Sequence, residues 1–163
     1  MPLAGELSAL YRRHAPTVYR RARQILGNGA DAHEVVQDLF VSLLEKPEQF
    51  RASSSLTTFL YAATTNACLN RLRNTKNRQR ILSEHASSLE TTSDAVSAEQ
   101  LLTLQRALLE MPDDFARAVI YYWVDGLSQD EIAPLLSCSR RHVGNLLERA
   151  RVWAISQEQP HAE

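Results

Sequence analysis

The chain has 163 residues, 44% apolar and 23% charged, with 18 Lys or Arg against 19 Asp or Glu and a formal net charge of −1. That leaves room for one medium domain or two small ones with modest cores, and argues against large catalytic barrels and doubly wound sheets. No run approaches the ~20 consecutive apolar residues that span a bilayer, and the N-terminus lacks a secretory pattern, so a cytoplasmic chain with no membrane span is expected. Cys68 and Cys138 lie far apart and outside any paired motif, which argues against disulfide and metal scaffolds. The near-zero charge conceals a gradient. Residues 1–82 hold twelve Lys or Arg against six Asp or Glu, residues 83–103 none against four, and residues 104–163 six against nine. A basic first part points to a polyanionic partner such as nucleic acid.

Apolar residues recur at helical spacing, without the sustained alternation of a sheet, so the fold class is all-α. The pattern predicts a helix over residues 7–26, ended by Gly27-Asn28-Gly29. A second follows, with Val36, Leu39, Phe40, Leu43 and Leu44 in one stripe that stops near Pro47. A third begins after Ser53-Ser54-Ser55 and runs to Arg73 or beyond. Three short helices can share one core. The Ser/Thr-rich, acidic stretch 83–94 has few large apolar groups and reads as a flexible linker. Beyond it, Ser97-Ala98-Glu99-Gln100 and Ser128-Gln129-Asp130-Glu131 fit the capping-box pattern and mark helix starts. Pro112 suits the first turn of a helix over residues 113–123. A helix over 128–136, a break at Ser137-Cys138-Ser139 and a last helix over about 140–157 make a helix-turn-helix.

At 100° per residue the third helix groups Leu60, Tyr61, Ala67, Cys68 and Leu72 as its core face. Phe59, Asn66, Asn70, Arg73 and Asn77 share a narrow stripe elsewhere. An aromatic can stack on a base, Asn offers donor and acceptor together, and Arg meets phosphate, so the stripe suits exposed nucleic acid. A solvated face with its one aromatic tucked under a neighbour has the same composition. The run Arg71, Arg73, Lys76, Arg78, Arg80 fits phosphate contact or a solvated charge run alike. The last helix turns Val143, Leu146, Leu147, Ala150 and Trp153 inward, and Arg141, Gly144, Asn145 and Glu148 outward, with Arg140 and Arg149 toward the flanks. That outer surface would enter a major groove if the motif binds DNA, although a helix-turn-helix also serves as a packing or protein-binding unit. Enzyme signals are poor. In His33-Glu34-Val35-Val36-Gln37 a Gln stands where a zinc-protease helix needs its second His, and Cys138 with His142 is two ligands short of a structural site. There is no Gly-rich phosphate loop, nucleophile elbow or carboxylate pair, so no catalytic residue, metal or cofactor is assigned.

Taken together these residues resemble the extracytoplasmic-function (ECF) group of bacterial RNA polymerase sigma factors, over nearly the whole chain. The resemblance runs through Leu10-Tyr11-Arg12-Arg13-His14, Asp31 to Phe40 with Gln37 and Phe40 most recognisable, and Thr58-Phe59-Leu60-Tyr61 on to Asn66 and Arg73. It continues with Met111-Pro112, Arg117, Gly126-Leu127-Ser128, Glu131-Ile132-Ala133 and Arg149-Ala150-Arg151. It implies a region 2-like domain over residues 1–82, a linker over 83–96, a region 4-like domain over 97–158 and a tail over 159–163. The chain would be a transcription initiation factor with no catalytic site of its own, giving core RNA polymerase its promoter specificity.

By the same resemblance Asp31, Glu34, Val35, Gln37, Asp38, Phe40 and Leu44 would bind the clamp helices of the largest polymerase subunit, with the flap of the second-largest as a further contact. The loop Phe50-Arg51-Ala52-Ser53-Ser54 and the stripe Phe59, Asn66, Asn70, Arg73 and Lys76 would hold the parted strand at the minus-ten element. Arg140, Arg141, Asn145 and Arg149 would contact the minus-thirty-five duplex. A protein antagonist, an anti-sigma factor, is implied too, and through it a possible tie to the membrane. The family usually has Trp at Phe59, an acid at Asn70, and Thr, Lys and Arg at His142, Gly144 and Leu146. The two absent cations predict a second domain that grips its promoter element weakly or with altered preference and leans on another protein. Two other classes share these features: a helix-turn-helix regulator that binds duplex DNA without polymerase, and a sigma-like decoy that binds polymerase and starts no transcript.

Overall fold

The computed structural model describes residues 4–51, 55–81 and 97–158, all of its regular structure helical. The chain divides into two compact units, Met1–Leu102 and Thr103–Glu163. The linker expected at 83–96, the 159–163 tail and Ser53 lie outside the described residues, as do the side chains of Phe50, Arg51 and Lys76.

In the first unit, α1 (Ala4–Leu26) begins three residues before the predicted start. It buries Ala15, Val18, Ala22, Ile25 and Leu26, spaced by three or four residues until the last pair. Gly27 ends it at φ 78°, a left-handed position that costs glycine nothing, and its N–H donates to the Arg23 carbonyl at 2.8 Å. Asn28 then caps α2 (Gly29–Glu45): its Oδ1 accepts from the Asp31 N–H at 2.8 Å. The helix buries Ala32, Val35, Val36, Leu39, Phe40 and Leu43. A single turn, α3 (Glu48–Arg51), follows. The sequence reading placed Phe50 and Arg51 in a loop; the structure ends this helical turn with them. Ser55 caps α4 (Leu56–Ile81) through the Thr58 N–H at 3.1 Å.

α1, α2 and α4 pack pairwise around Ala15, Val18, Val36, Leu39, Phe40, Leu43 and Leu60, with Tyr19, Leu56, Phe59 and Ala63 lying against that cluster. Each large apolar side chain so buried contributes about 1.5–3 kcal/mol. The buried face of α4 is wider than its periodicity suggested. Leu60, Cys68 and Leu72 are buried as expected, Thr64, Thr65 and Leu69 join them, and Tyr61 and Ala67 are only half-buried. Thr65 is inside because Arg21, itself buried, donates to the Thr65 Oγ1 at 3.0 Å and the Tyr61 carbonyl at 3.1 Å, with its guanidinium 4.1 Å from the Tyr61 ring centroid. This buried cation ties α1 to α4.

The division between the units falls within α5 (Ala98–Glu110), after Leu102. This helix starts at a closed capping box in which the Gln100 N–H meets the Ser97 Oγ at 3.2 Å and the Gln100 Oε1 accepts from the Ser97 N–H at 3.0 Å. α6 (Asp113–Val119) takes Pro112 as its N-cap, one position before the expected first turn. It passes into a π-helical turn, Ile120–Val124, whose wider ring closes with the Asp125 N–H on the Ile120 carbonyl at 2.9 Å. Ser128 makes a second capping box at the start of α7 (Gln129–Leu135). The turn that follows holds Ser137 at φ 52°, and the Ser139 Oγ accepts from the His142 N–H at 3.1 Å as α8 (Arg140–Glu158) begins. α8 packs on α6 and α7 through Val143, Leu146, Leu147 and Ala150, while Trp153 stays half-buried.

Candidate nucleic-acid and polymerase interfaces

The outer side of α4 is polar because its inner side is committed to α1 and α2. Asn66 and Asn70 are exposed one helical turn apart, and Arg73, partly exposed, reaches the Asn70 Oδ1 at 3.4 Å. The stripe read from the sequence therefore exists at these three positions. Phe59 differs. It is half-buried against the core cluster, so its ring is not an open stacking platform in this conformation.

On α2 the expected polymerase contacts split by burial. Gln37, Asp38, Glu34 and Leu44 are exposed, Leu44 at 53%, and Val41 beside them is 49% exposed. Val35 and Phe40 are 2% and 6% exposed, so assigning them a direct contact with a partner is corrected: both belong to the core. The Tyr11 ring, 46% exposed, meets the Phe40 ring edge-on at 5.0 Å, which makes Tyr11 the aromatic the surface displays there.

Sequence reasoning missed the strap between these helices. Arg71 of α4 pairs with Asp31 at 3.2 Å, with Asp38 at 3.7 Å and, closest, with Glu34. Burial pulls the Arg71 guanidinium down, but the hydrogen bond to Glu34 and the charges of Glu34, Asp31 and Asp38 outweigh it and hold it above its ordinary value. Ion pairs this open to water contribute at most about 1 kcal/mol each. Beside them α2 and α4 leave a polar groove of about 440 Å³ that Asn70 and Asn74 also line. The only sign of the strap in the sequence is the basic run around Arg71, which does not say which of its members turns inward.

On α8, Arg140, Arg141, Asn145 and Arg149 are all exposed, as expected for a reading face. Several of its charges are already engaged. Arg140 lies 3.7 Å from Asp130, and the Arg149 guanidinium sits 5.3 Å from the centroid of the Phe115 ring. Arg151 donates to Glu148 at 2.8 and 3.2 Å; that hydrogen bond, with the Arg151 charge, lowers the fully exposed Glu148 carboxyl below its usual value. Glu148 therefore repels phosphate less than its isolated charge suggests. Gly144 is not an empty position: a Cβ there would come 3.2 Å from the Gln129 Oε1, so the glycine makes room for a side chain from the start of α7. Leu146 is 5% exposed, and a cation there would sit in the core.

Both halves of this architecture match known families. The model for region 2 of the sigma-70 factors covers residues 10–78, and the model for region 4 covers residues 101–153. The chain is 29% identical over 142 residues to the ECF RNA polymerase sigma factor SigM of Mycobacterium tuberculosis, covering 87% of this chain and 71% of that protein. It is 32% identical over 129 residues to the RNA polymerase sigma factor YlaC of Bacillus subtilis, covering 74% and 73%. The chain belongs to the ECF group of RNA polymerase sigma factors. Solved structures share the fold at 18% identity. CnrH in complex with the cytosolic domain of CnrY gives a TM-score of 0.56 over 97% of this chain and 92% of that one. The sigma factor RpoE of Bartonella quintana in complex with the anti-sigma factor NepR gives 0.54 over 88% and 91%. This sigma factor is an alternative transcription initiation factor, and no helix among its described residues is long and apolar enough to cross a membrane.

Proposed function

We propose that this sigma factor docks on core RNA polymerase with the outer face of α2 and holds the parted non-template strand along α4. Gln37, Asp38, Glu34, Asp31 and Leu44 make the docking face, with Val35 and Phe40 fixing its shape from beneath. Asn66, Asn70 and Arg73 hold the strand. Phe59 stands at the head of that row and stacks on a base once its ring is uncovered; Phe50, Arg51, Ser53 and Lys76 add further strand contacts. Each unstacked base costs a few kcal/mol, and stacking and phosphate contacts of about 1–3 kcal/mol per base offset that cost. The observation that carries this reading is the exposure of Asn66 and Asn70 directly behind a helix face buried through Cys68, Leu69 and Leu72.

Residues 1–82 and 97–158 act as two domains in this reading, joined by 83–96, which follows the RNA exit path. The second sets Arg140, Arg141, Asn145 and Arg149 against the upstream promoter duplex and meets the polymerase flap. Its grip is weak, because two of these three arginines have internal partners and neither residue 144 nor 146 adds a cation. The chain makes and breaks no covalent bond; polymerase does. Its site of action is the cytoplasm, and an antagonist of the anti-sigma kind controls it; one fold relative is solved in complex with an anti-sigma factor.

The test is run-off transcription from genomic fragments with purified core polymerase, with and without the chain, alongside a core pull-down. Discrete new transcripts are expected. Core binding without transcripts would favour the decoy, and DNA binding without core binding the helix-turn-helix regulator.

A further inference from the structure

Positions 31, 34 and 38 fall on one face of α2, so its carboxylates form a row. Their side chains grow more exposed along it, 33%, 58% and 78%, while the Arg71 that faces them is 22% exposed. The row is thus anchored on Arg71 at one end and open to a partner at the other. Three carboxylates against one guanidinium leave a formal charge of −2 beside a groove that Asn70 also lines. Asn70 belongs to the strand-holding stripe, and Arg71 is its neighbour in sequence, so a phosphate brought to the stripe comes within a Debye length of about 8–10 Å of that charge.

We propose that Arg71 changes partners during initiation: the Asp31, Glu34 and Asp38 carboxylates hold it in the free protein, and polymerase cations docking on the same carboxylates release it to a phosphate of the captured strand. This rests on the proposed function, which puts docking on α2 and strand capture on α4. Charge complementarity argues for it, since a surface that binds an acidic row must bring cations, and those cations remove both obstacles to the strand. The residual negative charge is neutralised and the guanidinium is freed. Exposed ion pairs are weak enough to exchange in this way. Strand binding then depends on polymerase through a contact made inside the sigma factor itself.

The experiment measures fluorescence anisotropy of a labelled non-template single strand, taken from a promoter that supports run-off, with the full chain alone and with core polymerase. Glu34→Gln with Asp38→Asn, both at exposed positions, is expected to raise the affinity of the free chain about fivefold. With core present, Arg71→Ala is expected to weaken binding and reduce the slope of log affinity against log salt by about 0.7, the loss of one phosphate contact, while Arg71→Lys keeps the slope. A strap with a purely structural role would leave that slope unchanged. An unchanged free affinity in the double variant, or an unchanged slope in Arg71→Ala, overturns the exchange and leaves the proposed function standing. A wild type that binds neither core nor strand overturns the proposed function, and the exchange with it.

Discussion

The two units treat their functional charges differently. In the first, Arg71 and Arg21 are drawn inward and bridge helices, so polar groups serve the packing as much as the surface. In the second, the core is apolar and the arginines of α8 stay outside, engaged with surface neighbours such as Asp130 and Glu148 and with the edge of the core at Phe115. Charge that bridges helices can carry a signal between them. Charge that is only displayed sets affinity and salt dependence.

The sharpest way to break this comparison is to put a charge where the second unit keeps apolar packing. Leu146→Arg would add the cation that the family commonly has there, yet it buries a guanidinium beside Val143 and Leu147 and is expected to cost ~4 kcal/mol or more. Thermal unfolding of the full chain followed by circular dichroism checks it; a variant that stays folded and binds duplex DNA more tightly would contradict the burial.

Next in size is a pair on one helix of the first unit. Phe40→Ala is expected to cost about 3–5 kcal/mol, whereas Leu44→Ala should stay within about 0.5 kcal/mol and instead weaken core polymerase binding. Urea unfolding alongside a core pull-down separates the two. Equal stability losses would mean that burial does not divide the face of α2 as described.

These two residues also show what the sequence could and could not disclose. Phe40 lies in the stretch that carries the family resemblance and Leu44 just beyond it, and the resemblance assigns both to polymerase binding. Periodicity put both on one apolar stripe; only the packing of α1 and α4 decides which edge of it is covered. Local features were legible because their causes are local. The Asn-Gly break, the boxes at Ser97 and Ser128 and the turn before α8 each depend on neighbours within four residues. The Arg71 strap joins residues 33–40 positions apart, and the filling of the Gly144 gap by Gln129 joins two helices, so neither leaves a local signature. The π-helical turn was hidden for another reason: its apolar residues fit a continuous α-helix equally well.

A smaller effect belongs to the second unit, where no buried ion bridge supplements the helix caps among the described interactions. Ser128→Ala opens the capping box of α7 and is expected to lower stability by about 1 kcal/mol, read as a shifted urea midpoint with unchanged slope. The smallest effect belongs to the first unit and depends on pH. Burial, with the nearby Arg13 charge, holds the His14 imidazole below its ordinary 6.5. The unfolded chain therefore takes up the proton first, so stability is complete above pH 6.5 and declines as pH falls through that value toward the lower folded one. His14→Gln should remove this part of the decline, seen as a smaller difference between urea midpoints at pH 7.5 and pH 5.5, both about one unit from that value.

The central claim is that α4 holds a promoter strand parted by polymerase. Permanganate reactivity of thymines tests it most directly, on a promoter that supports run-off, with core polymerase and either the wild type or the triple variant Asn66→Ala, Asn70→Ala, Arg73→Ala. The account predicts reactive thymines around the minus-ten element with the wild type and their loss with the triple variant, while core binding persists. Equal reactivity with both proteins would contradict it.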